Sequence, residues 1–339
     1  MRNKIILIIL TLFLIGQSLG LTYAGTGKVG GLFLREDIGA RPLGMGSAFT
    51  AVADDSSGLN ANPGGLDYIP YPELMMMYKK GFMDTYYGYL GCTVPFRQKG
   101  TLGIGTMVFD GGDIDLNYLD GRTETVKMEQ DRVTTIGYGH SLSFLPFPQS
   151  VGEMFFLGAN FKFIQSTLGE KYTANTYAGD LGFIFRTIDK KISLGLALQN
   201  YGPGLKYRSV QEKLPTNIRA GLGVVVKEWT ESNLLAAADY IQTNGETAKI
   251  NLGMEYWFLK SVALRAGYKL GYNPNIYTLG LGFFLFRTKL DYGFVSSVID
   301  PTHRISLTVK FGSPDKTELA KKYDEKRMHS RAEYLRSQK

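Results

Sequence analysis

Hydrophobic residues stand at every second position in many segments of this chain. In the segment 304–311, Ile305, Leu307 and Val309 alternate with Arg304 and Ser306. Such alternation predicts strands with one apolar and one polar face. Several of these segments run for nine or ten residues. A tilted strand of about 9–11 residues crosses a bilayer, whereas strands of soluble sheets are usually shorter.

We identify fourteen such segments, an even number as expected for a bacterial outer-membrane barrel. They are 73–80, 85–94, 101–109, 132–143, 153–165, 176–186, 191–199, 216–227, 233–241, 247–258, 262–272, 276–286, 289–298 and 302–311. A closed antiparallel barrel leaves no backbone group unpaired in lipid. The sequence therefore predicts an all-β protein whose residues 73–311 form a fourteen-stranded transmembrane barrel.

The connectors support this count. If the first strand starts at the periplasmic side, odd-numbered connectors face outward, and the longest ones are the third, fifth and seventh: 110–131, 166–175 and 200–215. Most even-numbered connectors are short, although 145–152 is an exception. Long outer loops and short inner turns are typical of outer-membrane barrels.

The two ends of the chain differ from the strand region. A basic start and an apolar run from Ile5 to Ile15 predict a signal peptide over 1–24, cleaved after Ala24, with an uncleaved membrane anchor as the alternative. Residues 25–72 lack alternation. Met45, Ala48, Phe49 and Val52 have helical spacing and predict a short helix starting near Pro42. We expect 25–72 to fold as an N-terminal plug.

The segment 312–339 is a charged tail, which we expect to be a periplasmic helix or a disordered extension. The formal charge of +7 belongs largely to the two ends, so we expect no nucleic-acid binding. With one cysteine, Cys92, and three histidines, the chain has few groups for metal or acid–base chemistry. We expect no enzyme, no resident metal and no cofactor.

The region 39–66 carries the most specific motif. It combines a Gly-Ala-Arg start, Gly-Met-Gly, and Ala-Asp-Asp before an Asn-Pro turn. It resembles the N-terminal signature of the PorV/PorQ family of outer-membrane proteins and, more loosely, the plug of FadL-type transporters. The resemblance implies a fourteen-stranded barrel with an N-terminal hatch. The plug-motif residues are Arg41, Gly44, Gly46, Asp54, Asp55, Asn62, Pro63, Gly64 and Gly65.

Charged residues on the polar strand faces are expected to line the lumen, where they either hold the plug or tune what passes. These candidates are Lys162, Arg219, Glu255, Arg265 and Lys269. Pairs such as Gly221 and Gly223 on one face would clear room in the lumen or allow close plug contact. Asp110, Asp113, Asp115 and Asp120 could hold calcium, but a solvated acidic loop is favoured. His140 beside Ser141 is weak support for a hydrolase.

Three functional hypotheses remain open. The first is a barrel that binds or passes a hydrophobic small molecule across the outer membrane. The second, which the PorV resemblance implies, is a shuttle in type IX secretion that binds exported proteins through their C-terminal signal domain. The third is a soluble secreted β-protein. In the first two, outer-membrane lipids surround the barrel.

Overall fold

A computed structural model describes residues 30–82, 84–96, 99–144, 152–297 and 301–312. The predicted signal peptide at 1–24 and the tail from residue 313 onward lie outside the described residues, as do residues 25–29 of the predicted plug.

Fourteen antiparallel strands form one closed barrel. They are β1 (Glu73–Lys80), β2 (Tyr86–Pro95), β3 (Thr101–Asp110), β6 (Glu129–Ser141), β7 (Phe155–Leu168), β8 (Tyr172–Arg186), β9 (Ile192–Tyr201), β12 (Asn217–Glu228), β13 (Asn233–Thr243), β14 (Lys249–Phe258), β15 (Val262–Leu270), β16 (Ile276–Leu285), β17 (Thr288–Val295) and β18 (Thr302–Lys310). β1 pairs with β18 and closes the ring, with Met76 opposite Leu307. The predicted fourteen-stranded barrel is confirmed.

Two connectors carry hairpins of their own. The hairpin β4 (Asp113–Asn117) and β5 (Thr123–Lys127) joins β3 to β6, and β10 (Leu205–Tyr207) and β11 (Val210–Glu212) join β9 to β12. Both lie at the end of the barrel that we call the loop end, where β1 finishes. The opposite end is called the turn end.

The predicted length of the fifth connector was wrong. β7 and β8 continue to Leu168 and from Tyr172, so that the connector is only the segment 169–171. Polar residues that suggested a loop, such as Thr167 and Thr173, stand opposite each other in the ladder. Their hydroxyls are 3.1 Å apart, because cross-strand threonines pair well on an exposed sheet surface.

The two faces of the barrel wall differ as alternation requires. The outer face exposes large apolar side chains on successive strands, including Leu90, Ile104, Ile136 and Phe161, while the inner face buries most of the polar ones. An apolar outer belt of this kind suits lipid rather than water. Among the described residues, no helix is long and apolar enough to span a membrane.

The lumen is filled by residues 30–72, which we call the inner segment. Its short helical elements are 3-10 turns at Leu32–Arg35 and Pro63–Tyr68 and α-helical turns at Ala40–Gly44 and Gly58–Ala61. It runs from the loop end, where the Gly30 amide donates to the Lys213 carbonyl at 3.0 Å, to the turn end.

The predicted short helix starting near Pro42 has a counterpart at Ala40–Gly44, but it does not extend over Met45 to Val52 as the apolar spacing indicated. The helix ends at Gly44 because Gly46 and Ser47 adopt left-handed backbone conformations, with φ of 62° and 64°. Met45, Phe49 and Val52 are nevertheless buried, as their apolar spacing required, but a series of turns buries them instead of a helix.

Candidate binding site within the barrel

Close backbone contact holds the inner segment against the wall. A Cβ on Gly44 would lie 2.9 Å from the Gly280 Cα, and one on Gly46 would lie 2.6 Å from the Leu252 carbonyl oxygen. On the wall, a Cβ on Gly139 would lie 2.6 Å from the Pro63 carbonyl oxygen. Glycine is needed at these positions because real Cβ atoms do not approach this closely.

A closed circuit of alternating charges ties Arg41 to the wall. Its guanidinium donates two hydrogen bonds to Glu255, at 2.8 and 2.9 Å, and a third to Asp55 at 3.0 Å. Arg265 bridges Glu255 at 2.6 Å to Asp291 at 2.8 Å. Lys289 completes the circuit with Asp55 at 2.7 Å and Asp291 at 3.5 Å. Charges buried in this way are stabilised only as a complete set.

The same circuit explains the ionisation of Asp55. Burial disfavours its charged form, but the Lys289 ammonium and the Arg41 guanidinium outweigh burial and hold its pKa well below the usual value. The inner segment therefore carries a carboxylate that stays charged in mild acid. Asp54 also pairs with Arg41.

A second set of contacts joins the Ser47 to Thr50 turn to β12, β13 and β15. Arg219 donates to the Ser47 carbonyl at 2.6 Å and to Asp239 at 3.1 Å. Asp239 also accepts from the Phe49 and Thr50 amides at 3.1 and 3.0 Å. Lys269 donates to the Ser47 hydroxyl at 2.9 Å. We call the inner face that carries both sets of contacts the charged wall: Arg219, Asp239, Glu255, Arg265, Lys269, Lys289 and Asp291.

The Asn-Pro turn lies against β7, β8 and β9. The Asn62 amide group donates to the Thr50 carbonyl at 2.8 Å and to the Phe183 and Leu196 carbonyls of the wall at 3.2 and 3.3 Å. Its oxygen accepts from the Gly64 amide at 3.1 Å, which fixes the start of the 3-10 turn at Pro63. Gly65 lies directly against the Ala53 carbonyl, so this turn also packs against the inner segment itself.

Lys162 binds groups of the wall and does not bind the inner segment. Its ammonium is 2.8 Å from Asp180 and donates to Asn200 at 2.7 Å. Asn200 has a left-handed backbone conformation, with φ of 57°, at a bulge where the pairing of β8 with β9 shifts register. Lys162 therefore stabilises an irregularity in the wall rather than the inner segment.

The opposite inner face is apolar near its middle. Five side chains from β1, β2, β3, β6 and β7 stand directly across from one another: Met77, Tyr89, Met107, Val133 and Ile164. We call this set the apolar row. All five are buried, and they pack with Phe33 and Ile38 of the inner segment. A polar lumen face is the rule for channels, so an apolar stripe inside the barrel is distinctive.

A small cavity separates the apolar row from the charged wall. It has a volume of about 50 Å³ and is bounded by Met107 and Val133 on one side and by mostly polar residues, including Arg219 and Lys162, on the other. Leu34 and Ile38 of the inner segment close it. Since a cavity of about 150 Å³ is needed to hold benzene, this one admits water and requires side-chain movement to admit anything larger.

Neither of the weaker sequence hypotheses gains support. Lys127 pairs with Asp113 at 2.7 Å, and Arg122 pairs with Asp120 at 2.7 Å. In the described part of the chain no three metal-ligating side chains cluster. His140 lies 3.8 Å from Asp67, whose pKa is raised by burial, and the Ser141 backbone amide donates to Asp67 at 2.8 Å.

Sequence reasoning missed the apolar row and one member of several ion pairs, although it named both members of the Arg41–Glu255 and Arg265–Glu255 pairs. Asp180, Asp239, Asp291 and Lys289 stand on polar strand faces and could have been chosen by the same alternation. The apolar row had a signal too: the run Leu74 to Met77 is apolar on both faces, which excludes a purely polar lumen at β1.

No protein-family model matches the chain, and no curated protein matches its sequence. Several solved structures share its fold. The Pseudomonas putida toluene transporter TodX has a TM-score of 0.57 at 11% identity, over 86% of this chain and 100% of TodX. The Ralstonia pickettii toluene transporter TbuX has a TM-score of 0.53 at 10% identity, over 82% and 99% of the chains. A Pseudomonas aeruginosa FadL homologue has a TM-score of 0.50 at 11% identity, over 80% and 98%.

Proposed function

We propose that this chain is a non-enzymatic outer-membrane barrel that binds hydrophobic small molecules and passes them across the membrane. The observation that carries the proposal is the apolar row: Met77, Tyr89, Met107, Val133 and Ile164 line the inside of a closed barrel, and two of them, Met107 and Val133, border an internal cavity. A concave apolar surface with a few polar groups is the usual form of a small-molecule site.

Two methionines make the row adaptable. The side chains of Met77 and Met107 are unbranched and can change rotamer at little cost, so that the row can open around a guest. The Met77 sulfur accepts a hydrogen bond from the Gly39 amide at 3.1 Å, which links the row directly to the inner segment. Binding of a ligand at Met77 would therefore be transmitted to the helical turn that carries Arg41.

The proteins that share this fold support a hydrophobic small molecule as the ligand. TodX and TbuX are toluene transporters, and the barrel CymD, with a TM-score of 0.51 at 13% identity over 81% of this chain and 98% of CymD, is a monoaromatic hydrocarbon channel. These are transporters and channels rather than enzymes. In this interpretation the inner segment is the plug, and its charge circuit keeps the pore closed to polar solutes.

A pair of matched variants tests the site. Ile164 belongs to the apolar row, whereas Ile184 is equally buried on the inner face near the turn end. We expect Ile164→Asn to weaken binding of a hydrophobic fluorophore such as N-phenylnaphthylamine to the purified barrel, and Ile184→Asn to leave it unchanged. Equal loss in both variants, or loss in neither, contradicts the proposed site.

Membrane insertion is tested separately. The folded barrel should be recovered with outer membranes and should migrate differently on a gel before and after boiling. Recovery in the soluble fraction without detergent would contradict the outer-membrane barrel and favour the third hypothesis, a soluble secreted β-protein.

A second function is favoured by the hairpin β4–β5. It exposes Ile114, Leu116, Tyr118 and Leu119 at the loop end. Exposed apolar groups in a loop are typical of a protein-interaction surface. Together with the resemblance to PorV/PorQ, this supports binding of secreted proteins through their C-terminal signal domain. A pull-down with such a domain, repeated with Leu119→Asp, tests it, and unchanged capture would exclude the hairpin.

A further inference from the structure

Asp131 is a buried carboxylate without a cationic partner. Its side chain lies on the inner face of β6 and is 4% exposed, and the neutral Ser166 hydroxyl on β7 faces it. Every other buried carboxylate of the described residues forms an ion pair with a lysine or an arginine. On the charged wall, by contrast, the buried carboxylates Glu255 and Asp291 are each bound by an arginine.

Apolar side chains and neutral hydroxyl groups surround Asp131 on β3, β6 and β7. It lies next to Val133 of the apolar row on the same strand face, and Phe109 and Ser166 stand directly opposite it on β3 and β7. The hairpin β10–β11 packs near Asp131. The Tyr207 hydroxyl donates to the Ser166 hydroxyl at 2.5 Å, and the side chain of Leu205 is fully buried.

The charged groups near Asp131 do not neutralise it. Glu129, two residues away on the same face, adds a second carboxylate at the loop end. Lys127 is engaged with Asp113 and Asp110, at 2.7 and 3.6 Å, and the side chain of Arg132 is on the exposed outer face. Removal of an unpaired carboxylate from water is costly unless a cation or a strong donor meets it.

We propose that Asp131 selects the ligand of the apolar row, and that the preferred ligand is a hydrophobic molecule with a primary amine or another cationic donor group. The apolar part would lie on Val133 and Met107, and the ammonium would bind Asp131, with Glu129 adding attraction at the entrance. The same carboxylates disfavour the anion of a fatty acid. This inference rests on the proposed function, because it assigns a ligand class to that site.

The test compares three probes of equal chain length, dodecylamine, dodecanol and dodecanoate, on the whole protein in nanodiscs of zwitterionic lipid. Binding is measured with radiolabelled probes, and empty nanodiscs supply the background. A charge-assisted hydrogen bond predicts that dodecylamine binds about tenfold or more tightly than dodecanol, with dodecanoate the weakest. Asp131→Asn should reduce the preference for amine over alcohol to less than about threefold.

Asp115→Asn is the matched control. It removes a carboxylate of the same type from the exposed hairpin, where Asp115 accepts from Thr125 at 2.7 Å, and should leave the preference intact. Heat-modifiable migration on a gel shows whether each variant folds. If Asp131→Asn does not fold, the order of the three probe affinities in the wild-type protein decides whether the amine is preferred.

The outcomes separate the two proposals. Binding of dodecanol without a preference for the amine, or a preference that survives Asp131→Asn, overturns the inference and leaves the proposed function standing. Displacement of the amine by millimolar calcium would also overturn it, in favour of a metal ion. Failure of all three probes to bind contradicts the proposed function itself.

Discussion

The two inner faces of this barrel handle the inner segment in opposite ways. At the charged wall, Arg41 is fixed by Glu255 of the wall and by Asp55 of its own segment through bonds of 2.8–3.0 Å, and the backbone of Gly44 touches that of Gly280. On the apolar row, the same segment contributes Phe33 and Ile38 to a methionine-containing cluster beside a cavity.

Directional contacts and adaptable contacts serve different tasks. Buried ion pairs specify one arrangement and are costly to break singly, whereas methionine packing tolerates several arrangements. We infer that the charged wall retains the inner segment, whereas the apolar row admits a ligand. Changes on the charged wall should alter retention, and changes on the apolar row should alter binding.

The largest effect is expected from Arg41→Ala. Loss of the guanidinium leaves Glu255 and Asp55 buried with fewer partners, which costs about 3–5 kcal/mol for a broken buried pair. We expect the inner segment to detach and planar-bilayer conductance to rise sharply. Arg41→Lys, which keeps the charge but not the fork geometry, should be intermediate. Wild-type conductance in Arg41→Ala would show that the circuit does not hold the segment.

A smaller effect is expected from Gly46→Ala, with Gly121→Ala as its control. Both glycines have positive φ, 62° and 82°, but only Gly46 faces a close backbone, since nothing lies within 4 Å of a Cβ at Gly121. Both variants share the strain of a non-glycine residue at positive φ. Gly46→Ala also overpacks the contact with the wall, which should lower its free energy of unfolding by about 1–3 kcal/mol more than Gly121→Ala does. The measurement is the free energy of unfolding in urea. Equal destabilisation would mean that close approach to the wall is unimportant.

As the pH falls, the ion pairs between the inner segment and the charged wall should weaken before the packing of the apolar row does. Because the folded-state pKa of Asp55 is lowered, its contribution to stability is complete above the unfolded pKa of about 3.9 and is lost as the pH falls through the folded value. We therefore expect conductance to be constant from pH 7 to 5 and to increase only below about pH 4. Asp55→Asn should reduce this acid response. A rise in conductance near pH 6 would contradict the assignment.

The smallest effect is expected outside both faces. The Lys127–Asp113 pair lies in an exposed hairpin, where ion pairs contribute little. Lys127→Ala should leave both the urea midpoint and hydrophobic-probe binding unchanged. A clear shift in either quantity would show that the hairpin is coupled to the lumen.

Alternation predicted the wall of the barrel well because a period of two is local. The bounds of β1 were predicted to the residue, and β6 and β7 were displaced by two or three residues where polar strand ends resembled loops. The lumen candidates followed from the same rule. Their partners did not, because Arg219 and Ser47 are 172 positions apart and only closure of the barrel brings them together.

The inner segment was the hardest part to predict. Helical spacing correctly marked Met45 and Phe49 as buried, but the backbone at Gly46 and Ser47 follows the contacts with Leu252 and Arg219 rather than local propensity. The apolar row was overlooked because its members are hydrophobic residues on a face assumed to be polar. Ile164 follows Phe163, and two adjacent apolar residues on a strand necessarily face opposite sides.

Photolabelling tests the central claim most directly. The wild-type barrel in lipid vesicles is labelled with an alkyl diazirine, and labelling that an excess of unlabelled hydrocarbon suppresses is mapped by mass spectrometry. We predict that suppressible adducts concentrate on Met77, Met107 and Ile164, with few on Ile184. Suppressible labelling confined to outer-face residues such as Leu90 and Ile104, with none on the apolar row, would contradict the account.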